Sequence, residues 1–341
     1  MKESQMITVI NKIDNIFNDN IAYVEQYDFS QANLNEENRL NAITTVASIC
    51  YQNPKGIGSE SLYNRLLAES KGLPSSSFEF VPVLIGQNSN IQHIGPDEVC
   101  PSIVKFGETV YDEDGTPYLL TNYRAIVFDV ENKLVHEDAL KFFNTEEECK
   151  IIKKHFKVFN FKIDFPTRSQ MVRHRVNWQE LSRRYVSGER VPFEFYISEK
   201  MKTVTSKDPQ DTTTALNTQD IIELCLEHYK AALDSGVKPQ EARRIIPQAA
   251  YTQIWGAFQP TQLANYLKLR DDSHAQWEIQ KTAKAIKHCL ILENYKDSMT
   301  PERELEIQNR MIALQNGELD FISSEELELM LAEKESASKE N

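Results

Sequence analysis

No stretch of this chain approaches the roughly 20 apolar residues that a membrane-spanning helix needs. The opening MKESQMITVI also lacks the basic start and apolar core of a secretory signal. The expectation is a soluble, cytoplasmic protein with no membrane contact. Cysteine is scarce: Cys50, Cys100, Cys149, Cys225 and Cys289 are odd in number, scattered, and never spaced as CxxC. That argues against a disulfide scaffold or a zinc site and favours buried free thiols. His93, His136, His155, His228 and His288 show no metal-ligand spacing, so no metal is expected. Glycine is sparse too, and no P-loop or GxGxxG occurs, which removes the common glycine-rich phosphate cradles. Positive charge is in deficit, with 38 Lys and Arg against 51 Asp and Glu and a net charge of −13. Such a balance opposes a long contact with a nucleic acid polymer.

Against that acidic background, residues 168–190 hold six arginines (168, 173, 175, 183, 184 and 190) and only two glutamates, Glu180 and Glu189. Guanidinium is planar, forked and permanently charged, so its clustering suits phosphate or carboxylate recognition. A local excess of this size matches one small anionic ligand better than a polymer. In Arg173-His174-Arg175 three consecutive side chains cannot all face one way and instead fan over an arc. Glu180, Ser182 and Arg184 alternate, which would place them on one side of an extended segment. Arg243 and Arg244 sit in a short helix before Pro247, where a surface pair is the plainer reading. Arg270, Asp272, Ser273 and His274 stand in a helical stretch with Gln276 and Trp277.

Periodicity outlines the fold. Ile7, Ile10 and Ile13, and then Leu40, Ile43, Val46 and Ile49, stand at helical spacing, predicting a helical N-terminal part over 1–81. Between Phe78 and Phe165 the runs FEFVPVLI, SIVKFGETVY, PYLLTNYRAIVFDV and KVFNFKIDF predict an antiparallel sheet, with a helix over NTEEECKIIKKHF. Further helices are predicted over 221–233, with Ile221, Leu224, Cys225 and Tyr229 inward, and continuously from about Thr261, where Arg270 and His274 would share a face. An acidic helix and tail close the chain over 301–341.

The segments RHRVNWQELSRRY and LRDDSHAQWEIQ resemble the paired motifs of the flavin-dependent thymidylate synthases. The second is long and nearly unbroken, and the resemblance is clear from Phe161 to Leu290. It implies an α/β (α+β) fold, a central mainly antiparallel sheet flanked by long helices, assembled as a homotetramer whose active sites draw on more than one subunit. It implies reductive methylation of dUMP to dTMP with FAD, and with NADPH and methylenetetrahydrofolate as co-substrates. The alternative is a divergent nucleotide-binding relative with a regulatory role or another pyrimidine C5 modification. Carried over by position, Gln170, Arg173, Glu180, Leu181, Ser182, Arg183, Arg184, Arg243 and Arg270 match dUMP-binding residues, with Arg270 as the catalytic one. Arg173, His174, Arg175, Glu180, Asn265 and His274 match or share the flavin-contacting motifs, and Gln259 stands near another such position. Three departures accompany these matches. Six residues rather than seven separate Arg175 from Ser182. Gln259 and Thr261 replace the usual Asn and Arg, while Cys50 and Phe80 fall near a usual Ser and His. Residues 82–157, read as a β-rich insertion ahead of a catalytic core over 158–300, have no counterpart.

Overall fold

A computed structural model describes residues 7–68, 74–208 and 213–295. The acidic segment 301–341 lies outside the described residues. The chain opens not with a helix but with a hairpin, β1 (Val9–Asp14) and β2 (Tyr23–Tyr27). Asn15, Asn18 and Asn20 in its connection have φ of 54°, 59° and 60°, a left-handed conformation that asparagine tolerates and a right-handed helix cannot contain. Pairing of β2 with a central strand outweighs the helical spacing of the three isoleucines. Helix α1 (Glu36–Tyr51) follows, capped by Asn35, and buries Ala42, Ile43, Val46 and Ala47; α2 (Glu60–Ala68) comes next.

Residues 82–157 hold β3 (Pro82–Ile85), α3 (Ser102–Lys105), β4 (Glu108–Tyr111), β5 (Pro117–Asn122), α4 (Tyr123–Glu131) and α5 (Glu146–His155). The strands form a sheet of order β3-β5-β4, but the segment is mixed rather than β-rich. The run PYLLTNYRAIVFDV divides at Asn122, whose Oδ1 accepts the Ala125 N–H at 3.1 Å and starts α4. SIVKFGETVY divides at Gly107, where a Cβ would lie 2.7 Å from the Ile103 carbonyl oxygen. FEFVPVLI begins as a 3-10 turn over Ser76–Phe80 before β3. The predicted helix at α5 is present, with Thr145 and Glu148 forming a reciprocal cap.

The second half runs β6 (Lys157–Asp164), α6 (Phe165–Met171), β7 (Asn177–Glu180), a short α7 (Glu199–Lys202), the ribbon β8 (Thr205–Lys207) and β9 (Ala215–Asn217), α8 (Thr218–Asp234), α9 (Pro239–Ala242), β10 (Tyr251–Phe258), α10 (Pro260–Arg270) and α11 (Trp277–Tyr295). Two corrections apply here. The stretch from 261 is two helices, because Asp272 Oδ1 accepts the His274 N–H at 2.8 Å in a turn between them. On α8 the buried residues are Ile222 and Tyr229, while Ile221 and Leu224 are exposed.

All strands of the main sheet, ordered β1-β2-β6-β10-β7, are antiparallel. One row crosses it as Ile13, Val24, Phe161, Ile254 and Glu180. Its apolar members enter a core with α10 and α11, which includes Tyr266, Ile279, Ala283 and Ile286. The opposite face supplies Val158, Trp255 and Ala257 to a second core that α1 shares with Val83, Leu120 and Ile126. Arg39 of α1, 3% exposed, fastens that side: it donates to Asn33 Oδ1, Leu140 O and Phe142 O and lies 3.9 Å from the Tyr123 ring centre.

Candidate active site

Directly paired residues of neighbouring strands share a sheet face. The row ending in Glu180 therefore delivers that carboxylate to the α6 side, where Arg168 donates to Oε2 through Nε at 2.9 Å and also through Nη2. Thr252 Oγ1 donates to the other carboxylate oxygen at 3.1 Å. Asp164 caps α6, accepting the Thr167 N–H at 3.1 Å, so the helix that carries Arg168 and Gln170 starts from the end of β6.

Beyond α6 the chain turns through Arg173-His174-Arg175, and the side chains fan as the sequence suggested. His174 is buried at 8% exposure while Arg173 and Arg175 are exposed. Trp178 holds this turn, its indole N–H donating to the His174 carbonyl at 3.1 Å. Its ring covers Gly256 of β10, where a Cβ would sit 2.5 Å from Trp178 Cζ3, so the close approach requires glycine.

His174 packs edge-on against Tyr266 at 4.9 Å and accepts the Arg270 Nε–H on Nε2 at 2.7 Å. Arg270 Nη2 donates to the Gln170 carbonyl at 3.0 Å. Gln170 in turn donates from its side-chain amide to Gln276 Oε1 at 2.6 Å. Burial, reinforced by the Arg270 charge, lowers the His174 pKa from 6.5 to about 4. At neutral pH the ring is uncharged. With Nε2 accepting, its proton resides on Nδ1. The neutral imidazole thus orients a guanidinium without competing with its charge. Among the described residues Nη1 of Arg270 has no hydrogen-bond partner, so part of the half-buried fork can meet a ligand.

The residues after Glu180 do not continue as an extended strand, correcting the expected alternation of Glu180, Ser182 and Arg184. The Tyr185 and Val186 amides donate back to the Ser182 carbonyl at 3.1 and 3.0 Å, curling the chain into a turn. Leu181 is buried with its N–H on Gln253 O, and the Ser182 N–H reaches Cys50 O. Arg183 is buried and donates to the Val191 and Pro192 carbonyls while lying 4.1 Å from the Phe193 ring centre. Its guanidinium holds the 187–193 loop. Arg184 is exposed beside Tyr185, and Arg243 is exposed in the turn after α9. Asn265 is exposed, and the His274 side chain is 93% exposed. The structure thus joins Gln170, His174 and Arg270 in one network and leaves Arg243, Asn265 and His274 on the surface.

A second region was not legible in the sequence. Gln259 caps α10, and its side-chain amide donates to the Phe106 and Leu120 carbonyls at 3.0 and 3.2 Å. The Thr261 N–H and hydroxyl both donate to Glu108, at 3.0 and 2.5 Å. Segment 82–157 is therefore bonded to the start of α10. Beside this junction lies a cleft of about 700 Å³ whose walls include Arg175, Gln259 and Gln262 from one side and Lys105, Phe106 and Arg124 from the other. Long-range pairing of this kind leaves no local signal. The two positions where the motif departed from its relatives, Gln259 and Thr261, were the one hint.

Comparison with known proteins places these motifs. The family model described as thymidylate synthase complementing protein matches residues 146–291. A flavin-dependent thymidylate synthase of Thermosipho africanus is 37% identical over 142 residues, covering 37% of this chain and 60% of that protein. The enzyme of the same name from Kosmotoga olearia is 33% identical over 142 residues, covering 38% and 60%. That from Thermus thermophilus is 31% identical over 139 residues, covering 38% and 50%. The chain spans at most 60% of the length of these relatives. Both arginine motifs lie within residues 146–291, the stretch that is similar to the thymidylate synthase complementing protein family.

Proposed function

We propose that this protein is a flavin-dependent thymidylate synthase that methylates C5 of dUMP, with methylenetetrahydrofolate as carbon donor, FAD as bound cofactor and NADPH as reductant. The observation that carries the reading is the fixed guanidinium of Arg270, held by neutral His174 and the Gln170 carbonyl. Negative charge grows on a pyrimidine ring when C5 becomes nucleophilic. A cation already oriented against that ring lowers the barrier without reorganising. Removing one such donor typically costs about 10²–10³ in rate.

For the dUMP phosphate, Arg173, Arg184 and Arg243 are exposed guanidiniums, and each charge-assisted bond is worth about 1.5–3 kcal/mol before desolvation. Gln170, Glu180, Leu181, Ser182 and Arg183 shape the pocket, most of them through backbone or loop contacts already made. FAD fits the residues present. Among the described residues, Arg173 and Arg175 have no carboxylate partner, and Arg175 opens into the 700 Å³ cleft. Arg173, Arg175 and Asn265 would hold it by open donors and His274, whose Nδ1 is paired with Asp272, through Nε2, with His174, Glu180 and Gln259 fixed behind them. When bound, FAD supplies the hydride chemistry. The protein's task is to place the ring and exclude water.

Exposure of Asn265 and His274, with Val172, Leu269 and Trp277 showing 37%, 50% and 40% of their surface, supports a homotetramer in which a neighbouring subunit completes the site. The engagement of Gln259 and Thr261 by segment 82–157 favours one rival, a relative that binds the nucleotide for regulation. An absorption spectrum before and after dUMP, with dUMP-dependent NADPH oxidation, separates them. A yellow protein whose turnover falls in Arg270→Lys supports the synthase. A colourless protein that binds dUMP and oxidises no NADPH overturns it.

A further inference from the structure

We infer that segment 82–157 supplies binding residues to the nucleotide cofactor: its Lys105 and Arg124, with Arg175, form a cleft for the diphosphate group of FAD. The inference rests on the flavin reading above, but two of its three cations, Lys105 and Arg124, lie ahead of the stretch that matches the family.

Three observations converge. The cleft, about 700 Å³, is within the on-the-order-of 300–1,000 Å³ range of small-molecule sites. Its walls carry three cations, Lys105, Arg124 and Arg175, against one carboxylate, Glu79. Arg124 is joined to Glu79 and to the Pro74 carbonyl, so it stands fixed, while Lys105 and Arg175 have no carboxylate partner among the described residues. The surplus of two positive charges equals the charge of a diphosphate bridging two esters. Phe106, 55% exposed, and half-buried Phe128 line the same space and offer apolar surface to a flat ring.

Chance placement of these cations is the weaker account. Segment 82–157 has thirteen acidic residues and only eight Lys and Arg, yet two of the eight face this one cleft. The segment is also anchored where it matters: Gln259 and Thr261 bond it to the start of α10, next to Gln262 in the wall. Lys105 and Phe106 are thereby held opposite Arg175 instead of swinging with a free loop.

The test uses the full chain freed of any resident flavin, with FAD, FMN, ADP and dUMP titrated into wild type, Lys105→Gln and Lys105→Arg. FAD binding should weaken about five- to tenfold in Lys105→Gln and recover in Lys105→Arg, whereas FMN, which carries one of the two phosphates, should weaken less than FAD, and dUMP affinity, which needs no diphosphate site, should not change. Unaltered melting temperatures would show that the exposed lysine is not needed for folding. Equal FAD affinity in wild type and Lys105→Gln overturns the inference. If wild type binds no flavin, the flavin reading has failed, and ADP then decides the cleft. Tenfold weaker ADP binding in Lys105→Gln retains a diphosphate site there, and equal or absent ADP binding removes it.

Discussion

Acid should weaken this protein through one histidine, and the effect can be isolated. His174 is neutral in the folded state because burial and Arg270 lower its pKa from 6.5 to about 4. In the unfolded chain the ring takes up a proton as pH falls through about 6.5, so between these values the unfolded state binds more protons. Stability is therefore fully present above about pH 6.5, declines as pH falls through the window, and has lost this contribution below about pH 4. The whole shift corresponds to about 3 kcal/mol at ~1.36 kcal/mol per pH unit. Solvent reaching the half-buried Arg270 end screens the interaction, which reduces the expected loss to about 1–2 kcal/mol. His174→Gln removes the titration while keeping an acceptor for the Arg270 Nε–H. Urea unfolding at a series of pH values from about 7.5 to 4.5 should show wild type losing about 1–2 kcal/mol more than His174→Gln. Parallel curves for the two proteins would refute the assignment of a buried, neutral imidazole as the support of Arg270.

Two further outcomes concern the attachment of segment 82–157. Glu108→Gln removes the carboxylate bonded to the Thr261 amide and hydroxyl at the positive end of α10, and should cost about 0.5–1 kcal/mol by urea unfolding; an unchanged midpoint would show that water replaces it. Arg39→Met leaves Asn33 Oδ1 without its donor, leaves the Leu140 carbonyl to the Tyr123 hydroxyl alone and the Phe142 carbonyl to Asn33 alone, and removes the stacking on Tyr123, so a loss of about 2–3 kcal/mol and a clear fall in melting temperature are expected.

What the sequence revealed and what it hid follow from range. Strand β6 and helix α5 were legible, since alternation and a Thr-x-x-Glu cap are local properties. The arginine motifs were legible because they are contiguous, and the prediction that Arg173, His174 and Arg175 would fan apart follows from backbone geometry alone. Helical spacing of Ile7, Ile10 and Ile13 misled because three residues also fit a strand and its bulge, and pairing with β2, itself paired with β6, decides. The division between α10 and α11 was hidden by an unbroken motif, although Asp271 and Asp272 are turn formers. The partnership of His174 with Arg270, 96 positions away, and of Glu108 with Thr261, 153 away, could not be read from either neighbourhood.

The shared apolar core described above has a consequence for how the molecule comes apart. Val83, Leu120 and Ile126 pack in one continuous cluster with Val46, Val158 and Trp255, so no hydrated seam divides segment 82–157 from the sheet. Cooperative melting depends on such continuity. A boundary that is sharp in the sequence is absent from the unfolding energetics, and the two parts should denature in a single calorimetric transition. Excision of the segment would then remove Val83, Leu120 and Ile126 from the cluster that α1 completes over Trp255 and Ala257, rather than return a smaller stable protein.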